Sequence, residues 1–307
     1  MQRWNLLTKA IFRLKVTDNP AEFQALRRAL KGRIGAVYTM GALHEGHLSL
    51  VSRARAENDA VVATLFVNPT QFAQNEDLSR YPRTLEHDLE AFERAGVSLL
   101  LTPTPETMYP SGYQTSITVE KVTQGLEGAH RPGHFVGVAT VVAKLFNLTL
   151  PDRAYFGQKD AQQVVVVRQM ARDLNFPLEI IVCPTVREAD GLAMSSRNAF
   201  LTAPQRQAAS VLYRGLQAAG EVYTRGERAT ARLIDAAYQV IAAEPLAEID
   251  YIALNDPRTL APIVEATDAP VLLSLVARIG TPRLLDNCLL PLELNNLQAL
   301  TRLLGGT

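Results

Sequence analysis

Three short stretches concentrate the side chains able to handle a phosphate. The first is Thr39-Met40-Gly41-Ala42-Leu43-His44-Glu45-Gly46-His47. His44 and His47 share a face if the chain is helical there. Two imidazoles so placed hydrogen-bond phosphoryl oxygens and offset charge as it shifts during phosphoryl transfer. Gly41 permits a tight turn and Gly46 lets a ligand approach the backbone. The free amides of a helix N-terminus favour phosphate. A His-x-x-His pair also supplies two zinc ligands, but this is not the His-Glu-x-x-His of zincins and no third ligand is spaced nearby. A structural or solvated role is the plainer alternative for either ring. The second stretch is Gly157-Gln158-Lys159-Asp160, followed by Gln162 and Gln163. Lys159 offers a mobile point charge. Asp160 reads equally as a helix cap or as a ligand group, and Gln163 begins the next helix. The third is Asp190-Gly191-Leu192-Ala193-Met194-Ser195-Ser196-Arg197-Asn198. Its two hydroxyls and one guanidinium make a compact anion clamp, or else a Ser-rich linker.

The elements that must carry these groups follow from the apolar pattern. Residues 33–38, 60–67, 97–101, 153–156 and 179–183 read as strands. Helical spacing covers 46–57, a segment carrying Leu85, Leu89 and Phe92 with Gly96 as C-cap, then 137–150 and 161–174. Strands alternating with helices predict a parallel sheet covered on both faces. In such sheets ligands bind outside the carboxyl ends of the strands. The first two stretches lie at such ends, as do Asn68 and Gln71, so three strand ends converge on one crevice suited to a phosphate-rich ligand. No Gly-x-Gly-x-x-Gly follows the first strand and no P-loop occurs, which disfavours a nicotinamide dehydrogenase and a P-loop kinase. Residues 115–119 alternate β-branched side chains and read as an edge strand or an excursion. Beyond Thr185 the pattern becomes α+β. Helices are expected at 202–223 and 229–243 and strands at 249–254, 271–277 and 283–289, the last two antiparallel. A hinge is expected at 184–190.

The 307 residues allow about two domains. Lys plus Arg equals Asp plus Glu at 31 each, which argues against a nucleic-acid coat or a polybasic membrane-surface protein. The 47% hydrophobic and 20% charged content suits a globular chain. Only Cys183 and Cys288 occur, so a disulfide scaffold is excluded and a reducing compartment is expected. No apolar run approaches the ~18 residues of a membrane span. The N-terminus carries Arg3, Lys9, Arg13 and Lys15 without an acid. It lacks the apolar segment and cleavage site of a secretory signal; extra residues before the first strand, or an organelle transit segment, are the two readings.

With these residues in view, TMGALHEGHLSL at 39–50 resembles the first signature of the pantothenate synthetases, or pantoate–β-alanine ligases, within the nucleotidyl transferases that carry a His-x-Gly-His turn. The resemblance continues through Phe66-Val67-Asn68-Pro69-Thr70-Gln71-Phe72, Tyr81-Pro82-Arg83-Thr84, Leu126-Glu127-Gly128, Arg131-Pro132-Gly133-His134-Phe135 and Lys144-Leu145-Phe146-Asn147. It ends with residues 156–160, Gln162-Gln163, residues 186–198 and Arg283-Leu284-Leu285-Asp286-Asn287, covering roughly 11 to 290. So ordered a series is far more specific than one motif.

The resemblance implies an α/β fold: a Rossmann-like parallel sheet over residues 1–185 that binds ATP and pantoate, and a smaller α+β lid domain over 186–307. It also implies a cytoplasmic homodimer. ATP with Mg²⁺ and pantoate would give pantoyl adenylate and pyrophosphate, and β-alanine would then release pantothenate and AMP. By resemblance, Met40, Gly41, Ala42, Leu43, His44, Glu45, Gly46 and His47 line the ATP site. His44, His47 and Lys159 would be catalytic, with His47 the proton donor. Gly157, Gln158, Lys159, Asp160, Val186, Met194, Ser195, Ser196 and Arg197 match the remaining nucleotide contacts. Gln71 and Gln163 match the pantoate residues, Gln71 also lying near β-alanine, and Asp88 lies where the family helps to place Mg²⁺. Two departures stand out: Tyr38 replaces a usual Pro and Gln158 a usual Glu, while the tail beyond Leu290 is long for the family. An adenylylating enzyme of the same fold acting on a nucleotide or phosphopantetheine would explain the first stretch but not Gln71 and Gln163. A catalytically silent nucleotide binder would not need His44, His47, Lys159, Ser195, Ser196 and Arg197 together.

Overall fold

A computed structural model describes residues 14–72, 78–265 and 268–306; the N-terminal stretch up to residue 13 lies outside them. The first half alternates strand and helix: β1 (Lys15–Thr17), α1 (Pro20–Ala29), β2 (Ile34–Thr39), α2 (Glu45–Glu57), β3 (Ala60–Leu65), α3 (Leu85–Arg94), β4 (Leu99–Leu101). Two single-turn helices follow, α4 (Pro105–Met108) and α5 (Glu127–His130), then α6 (His134–Thr149), β5 (Arg153–Gly157), α7 (Ala161–Asp173) and β6 (Glu179–Cys183). These strands form one sheet in the order β1-β4-β3-β2-β5-β6, and every pairing in it is parallel.

The sheet is buried on both faces, which is why its strands read as continuous apolar runs. In β2, Val37 packs with Leu50, Val51 and Ala54 of α2 on one side, while Ala36 packs with Phe23 of α1 on the other. α3 ends as anticipated: Gly96 follows its last turn with φ +80°, a left-handed position that suits Gly. From β2 the chain proceeds to one side, through β3, and later restarts at β5 on the other side. The strand order therefore reverses between β2 and β5, and the crevice at their carboxyl ends is the natural ligand position of such a sheet.

The second half contains α8 (Ala203–Ala209), α9 (Val211–Thr224), α10 (Thr230–Ala242), β7 (Ala247–Asn255), β8 (Val271–Ile279), β9 (Arg283–Leu290) and α11 (Leu297–Leu303). β7, β8 and β9 form an antiparallel sheet, whose core with α9 and α10 includes Leu212, Leu216, Leu233, Ile241, Leu273 and Leu275. The other face of this sheet meets the first unit, since Leu272 and Leu289 join a cluster with Val164 to Val167 of α7.

Two expectations change. Residues 202–223 are two helices, not one, with a break at Ser210, whose hydroxyl donates to the Gln207 carbonyl at 3.0 Å. Residues 115–119 pair with no strand among the described residues; the Ile117 N–H instead donates to Thr140 Oγ1 at 2.9 Å. The tail after Leu290 returns to the first sheet. Thr301 Oγ1 accepts the Val182 N–H at 3.1 Å, and the Gly306 N–H donates to the Ile180 carbonyl at 3.1 Å. It thereby occupies backbone groups on the edge of β6 that would otherwise be open to pairing. No helix among the described residues is long and apolar enough to cross a membrane.

Candidate active site

The turn after β2 is shaped from behind. Asp88, in the first turn of α3 and only 1% exposed, accepts the N–H groups of Ala42 and Leu43, each at 2.9 Å, and the Thr84 hydroxyl at 3.2 Å. Gly41 (φ +89°) and Ala42 (φ +52°) make the turn that this carboxylate pins. The chain is thereby delivered to α2 with His44 as its N-cap. His44 Nδ1 accepts the Gly46 N–H at 3.1 Å, and His47 Nδ1 accepts the His44 N–H at 3.4 Å. With Nδ1 an acceptor in each ring, the hydrogen-bond network assigns the proton of each neutral imidazole to Nε2. Burial, then the charge of Lys159, lowers the His44 pKa to about 4, against the pull of Asp160 and Glu188. Burial, then His44, lowers that of His47 to about 3. Two neutral Nε2–H donors thus stand side by side, ring centroids 4.1 Å apart.

A cleft of about 880 Å³ opens at the carboxyl ends of β2 and β5, a size suited to small-molecule ligands. Met40, His44, Gly46 and His47 line it from the first stretch, and Gly157, Lys159, Asp160 and Gln163 from the second. Val186, Met194, Ser195, Ser196 and Arg197 line it from the third. Lys159 Nζ is 3.8 Å from Asp160 Oδ1. Asp160 occupies the N-cap position of α7 but makes no side-chain capping bond, so of its two readings the capping one is not observed. The segment from Val186 to Met194 is a small hairpin: Arg187 bridges Ala193 and the Met194 N–H donates to the Val186 carbonyl at 3.0 Å. Ser195 Oγ accepts the Arg197 N–H at 3.3 Å, leaving its own O–H to donate.

Apolar side chains line the same cleft: Val138, Val141, Val142 and Leu145 of α6 with Phe66, Phe156 and Tyr38. Tyr38, the departure from the family's Pro, sends its hydroxyl to Thr149 Oγ1 at 2.9 Å. Gln71 lines the cleft with them. Its Oε1 accepts from Asn68 Nδ2 at 3.2 Å and its Nε2 lies 3.1 Å from Met40 Sδ. Asn68 is 1% exposed and ties the turn to α6 through the Gly137 carbonyl at 3.3 Å. A Cβ on Gly137 would lie 2.4 Å from the Thr70 carbonyl oxygen, so the turn carrying Gln71 rests directly on helix backbone.

Several expected residues sit elsewhere. Gly41, Ala42, Leu43 and Glu45 do not line the cleft. The amides expected to cradle phosphate are already engaged, Ala42 and Leu43 by Asp88 and Gly46 and His44 by the two rings. Gln158 is 2% exposed and turns away, its Nε2 donating to Asn295 Oδ1 at 2.6 Å. Asp88, expected near Mg²⁺, does not line the cleft; its two oxygens accept the Ala42 and Leu43 amides and anchor the turn. Gln162 does not line the cleft; it bonds the Glu127 N–H and the carbonyls of Val122 and Gly125. Nothing in the sequence marks a charged set of which Glu127, His130 and Arg283 line the cleft. Arg283 of β9 pairs with Glu127 of α5 at 2.9 Å and with Asp250 of β7 at 2.5 Å, and His130 Nδ1 lies 3.0 Å from Asp250. Arg283 and Glu127 are more than a hundred residues apart in sequence, and only the fold reveals the pair.

The sequence matches the family described as pantoate-β-alanine ligase over residues 15–289. The chain belongs to that family. As a pantoate–β-alanine ligase it joins pantoate and β-alanine. Pantothenate synthetase from Roseiflexus castenholzii is 56% identical over 277 residues, covering 90% of this chain and 99% of its own. A crystal structure of pantothenate synthetase from Thermus thermophilus aligns with a TM-score of 0.85 at 49% identity, covering 89% of this chain and 98% of its own. A pantoate–β-alanine ligase from Francisella tularensis, solved with β,γ-ATP and β-alanine, aligns with a TM-score of 0.73 at 34% identity, covering 90% and 97%. The ligase cleft is therefore read on a fold shared with solved ligases.

Proposed function

We propose that the ligation runs through an acyl adenylate. A pantoate carboxylate oxygen attacks the α-phosphorus of ATP, and the bond from that phosphorus to the bridging oxygen of the β-phosphate breaks, so pyrophosphate leaves. The neutral amine of β-alanine then attacks the acyl carbon, the carbon–oxygen bond to AMP breaks, and the new amide nitrogen loses a proton. The observation that carries this reading is the mixed lining of the cleft. Lys159, His44, His47 and the Ser195-Ser196-Arg197 segment line the same cleft as an apolar set from α6 with Gln71 and Gln163. The first set suits a triphosphate. The second suits a short acid with a branched aliphatic carbon and two hydroxyls. The related ligase solved with an ATP analogue and β-alanine supports the pairing of these ligands.

The histidines act here as fixed hydrogen-bond donors rather than as acids. Their rings are neutral, and a donor aimed at charge as it develops needs no reorganisation. Gln71 and Gln163 orient the acid without a tight ion pair that would quench its carboxylate as nucleophile. Among the described residues no group of three or more His, Cys, Asp or Glu is arranged to hold a metal. The residues fit a Mg²⁺ carried on the ATP phosphates, with Asp160, its side chain 48% exposed beside Lys159, as the cleft carboxylate able to meet it. When bound, that ion neutralises phosphate charge. The homodimer and the closing role of residues 186–307 belong to the same proposal. Release of AMP from ATP, assayed with pantoate and β-alanine each omitted in turn, tests the reading: formation needs all three, and AMP formed without pantoate contradicts it.

A further inference from the structure

Lys159 sits in a single 3₁₀ turn, Gln158–Asp160, whose N-cap Gly157 supplies no side-chain bond. Its brace comes from far away. Asn287 of β9 donates from Nδ2 to the carbonyls of Gln158 at 3.1 Å and Lys159 at 2.8 Å. Asn287 is 3% exposed and does not line the cleft. Its Oδ1 is buried and has no hydrogen-bond partner among the described residues. An orphaned buried oxygen is a cost that calls for a reason. The reason is that the amide cannot flip: the reverse orientation would set oxygen against two carbonyl oxygens.

The residue before it does the matching task for the other side of the cleft. Asp286, 2% exposed, holds Arg187 through two bonds at 2.5 and 3.0 Å. Arg187 opens the hairpin that leads into Ser195, Ser196 and Arg197, and its guanidinium lies 4.3 Å over the Tyr213 ring. Adjacent strand residues point to opposite sides. One strand of the smaller sheet therefore sets the distance between the lysine loop and the clamp loop.

We propose that Asn287 is a positioning residue for the Lys159 ammonium in adenylation, acting by fixing the two carbonyls that orient the lysine's backbone. The proposal rests on the adenylate reading above. Misplacement of a catalytic group by about 1 Å costs on the order of 10²-fold in rate, so losing both anchors is expected to lower adenylation about 10- to 100-fold. Asn287→Asp keeps the volume but has no N–H to donate, and it separates the lost donor from lost packing.

The test is a double-mutant cycle read by pantoate-dependent ATP–pyrophosphate exchange. In parallel, turnover of pre-formed pantoyl adenylate with β-alanine is measured. Asn287→Ala and Asn287→Asp are each expected to lose about 10- to 100-fold of exchange in the wild-type background. In the Lys159→Ala background the same changes are expected to cost less than about threefold, because their effect passes through the lysine. With Lys159 present, adenylate turnover of the Asn287 variants stays within about threefold of wild type, which also reports an intact fold. Equal losses with and without Lys159, equal damage to both half-reactions, or undiminished exchange in Asn287→Asp would overturn the proposal. A wild-type enzyme showing no pantoate-dependent exchange would instead overturn the adenylate reading, and this proposal with it.

Discussion

Replacing Asp88 by Ala removes the acceptor for two backbone amides of the turn after β2 and for the Thr84 hydroxyl. Leu43 is buried, and stranding its N–H costs about 1–3 kcal/mol. The Ala42 N–H is nearer solvent and adds less, so the whole change is about 2–4 kcal/mol of stability. Asp88→Asn keeps one carbonyl oxygen but turns an NH₂ toward the other amide, and it is expected to lose about half as much. Urea unfolding followed by circular dichroism measures both, with and without Mg²⁺. The loss is expected to be the same in either condition, because the carboxylate serves the turn rather than an ion. Adenylation falls as well, since the loosened turn carries His44 and His47. An Asp88→Ala protein within about 0.5 kcal/mol of wild type, the range of an ordinary surface change, would refute the reasoning. So would a loss that appears only with Mg²⁺.

Gln71→Ala and Gln163→Ala are each expected to raise the pantoate KM by an amount equivalent to about 1–3 kcal/mol while leaving ATP affinity near wild type; steady-state kinetics against each substrate checks this. Nitrogen-15 shifts of the His44 and His47 rings near pH 6.5 are expected to show neutral imidazoles protonated on Nε2, and an imidazolium signature there would contradict the hydrogen-bond assignment. Because the folded rings titrate at about 4 and about 3 against 6.5 for the free side chain, the unfolded chain binds more protons between those values. Stability therefore declines as pH falls through that window, and replacing both rings by Asn is expected to flatten the decline. Hydrogen exchange over residues 186–198 is expected to slow when ATP is added, if the clamp closes on the phosphates, and unchanged exchange would count against closure.

The sheet was legible because its strands are buried on both faces and read as unbroken apolar runs, and the helix periods between them are long. β1 was not, since three edge residues with one buried side chain carry no pattern. The break at Ser210 hid inside an Ala-rich stretch because no Pro or Gly stands at the break itself. At the site, the rule that ligands lie at carboxyl strand ends brought Met40 to His47, Gly157 to Asp160, Gln71 and Gln163 to one crevice before any coordinates. Side-chain direction was not legible. Whether Gln158 faces the cleft or Asn295 depends on a contact 137 positions away. The fate of the Ala42 and Leu43 amides depends on a carboxylate 46 and 45 positions on. The clamp's anchoring through Asp286 and the charged set around Arg283 are likewise tertiary facts.

In the proposed reaction pantoate becomes a mixed anhydride with AMP before it meets the amine. Pantoate labelled with oxygen-18 in its carboxylate separates this from direct joining of the two substrates. If the carboxylate attacks the α-phosphorus, one labelled oxygen stays with the phosphate when the amide forms, and mass spectrometry of the released AMP finds it there. AMP without label, formed at the same rate as pantothenate, would contradict the account.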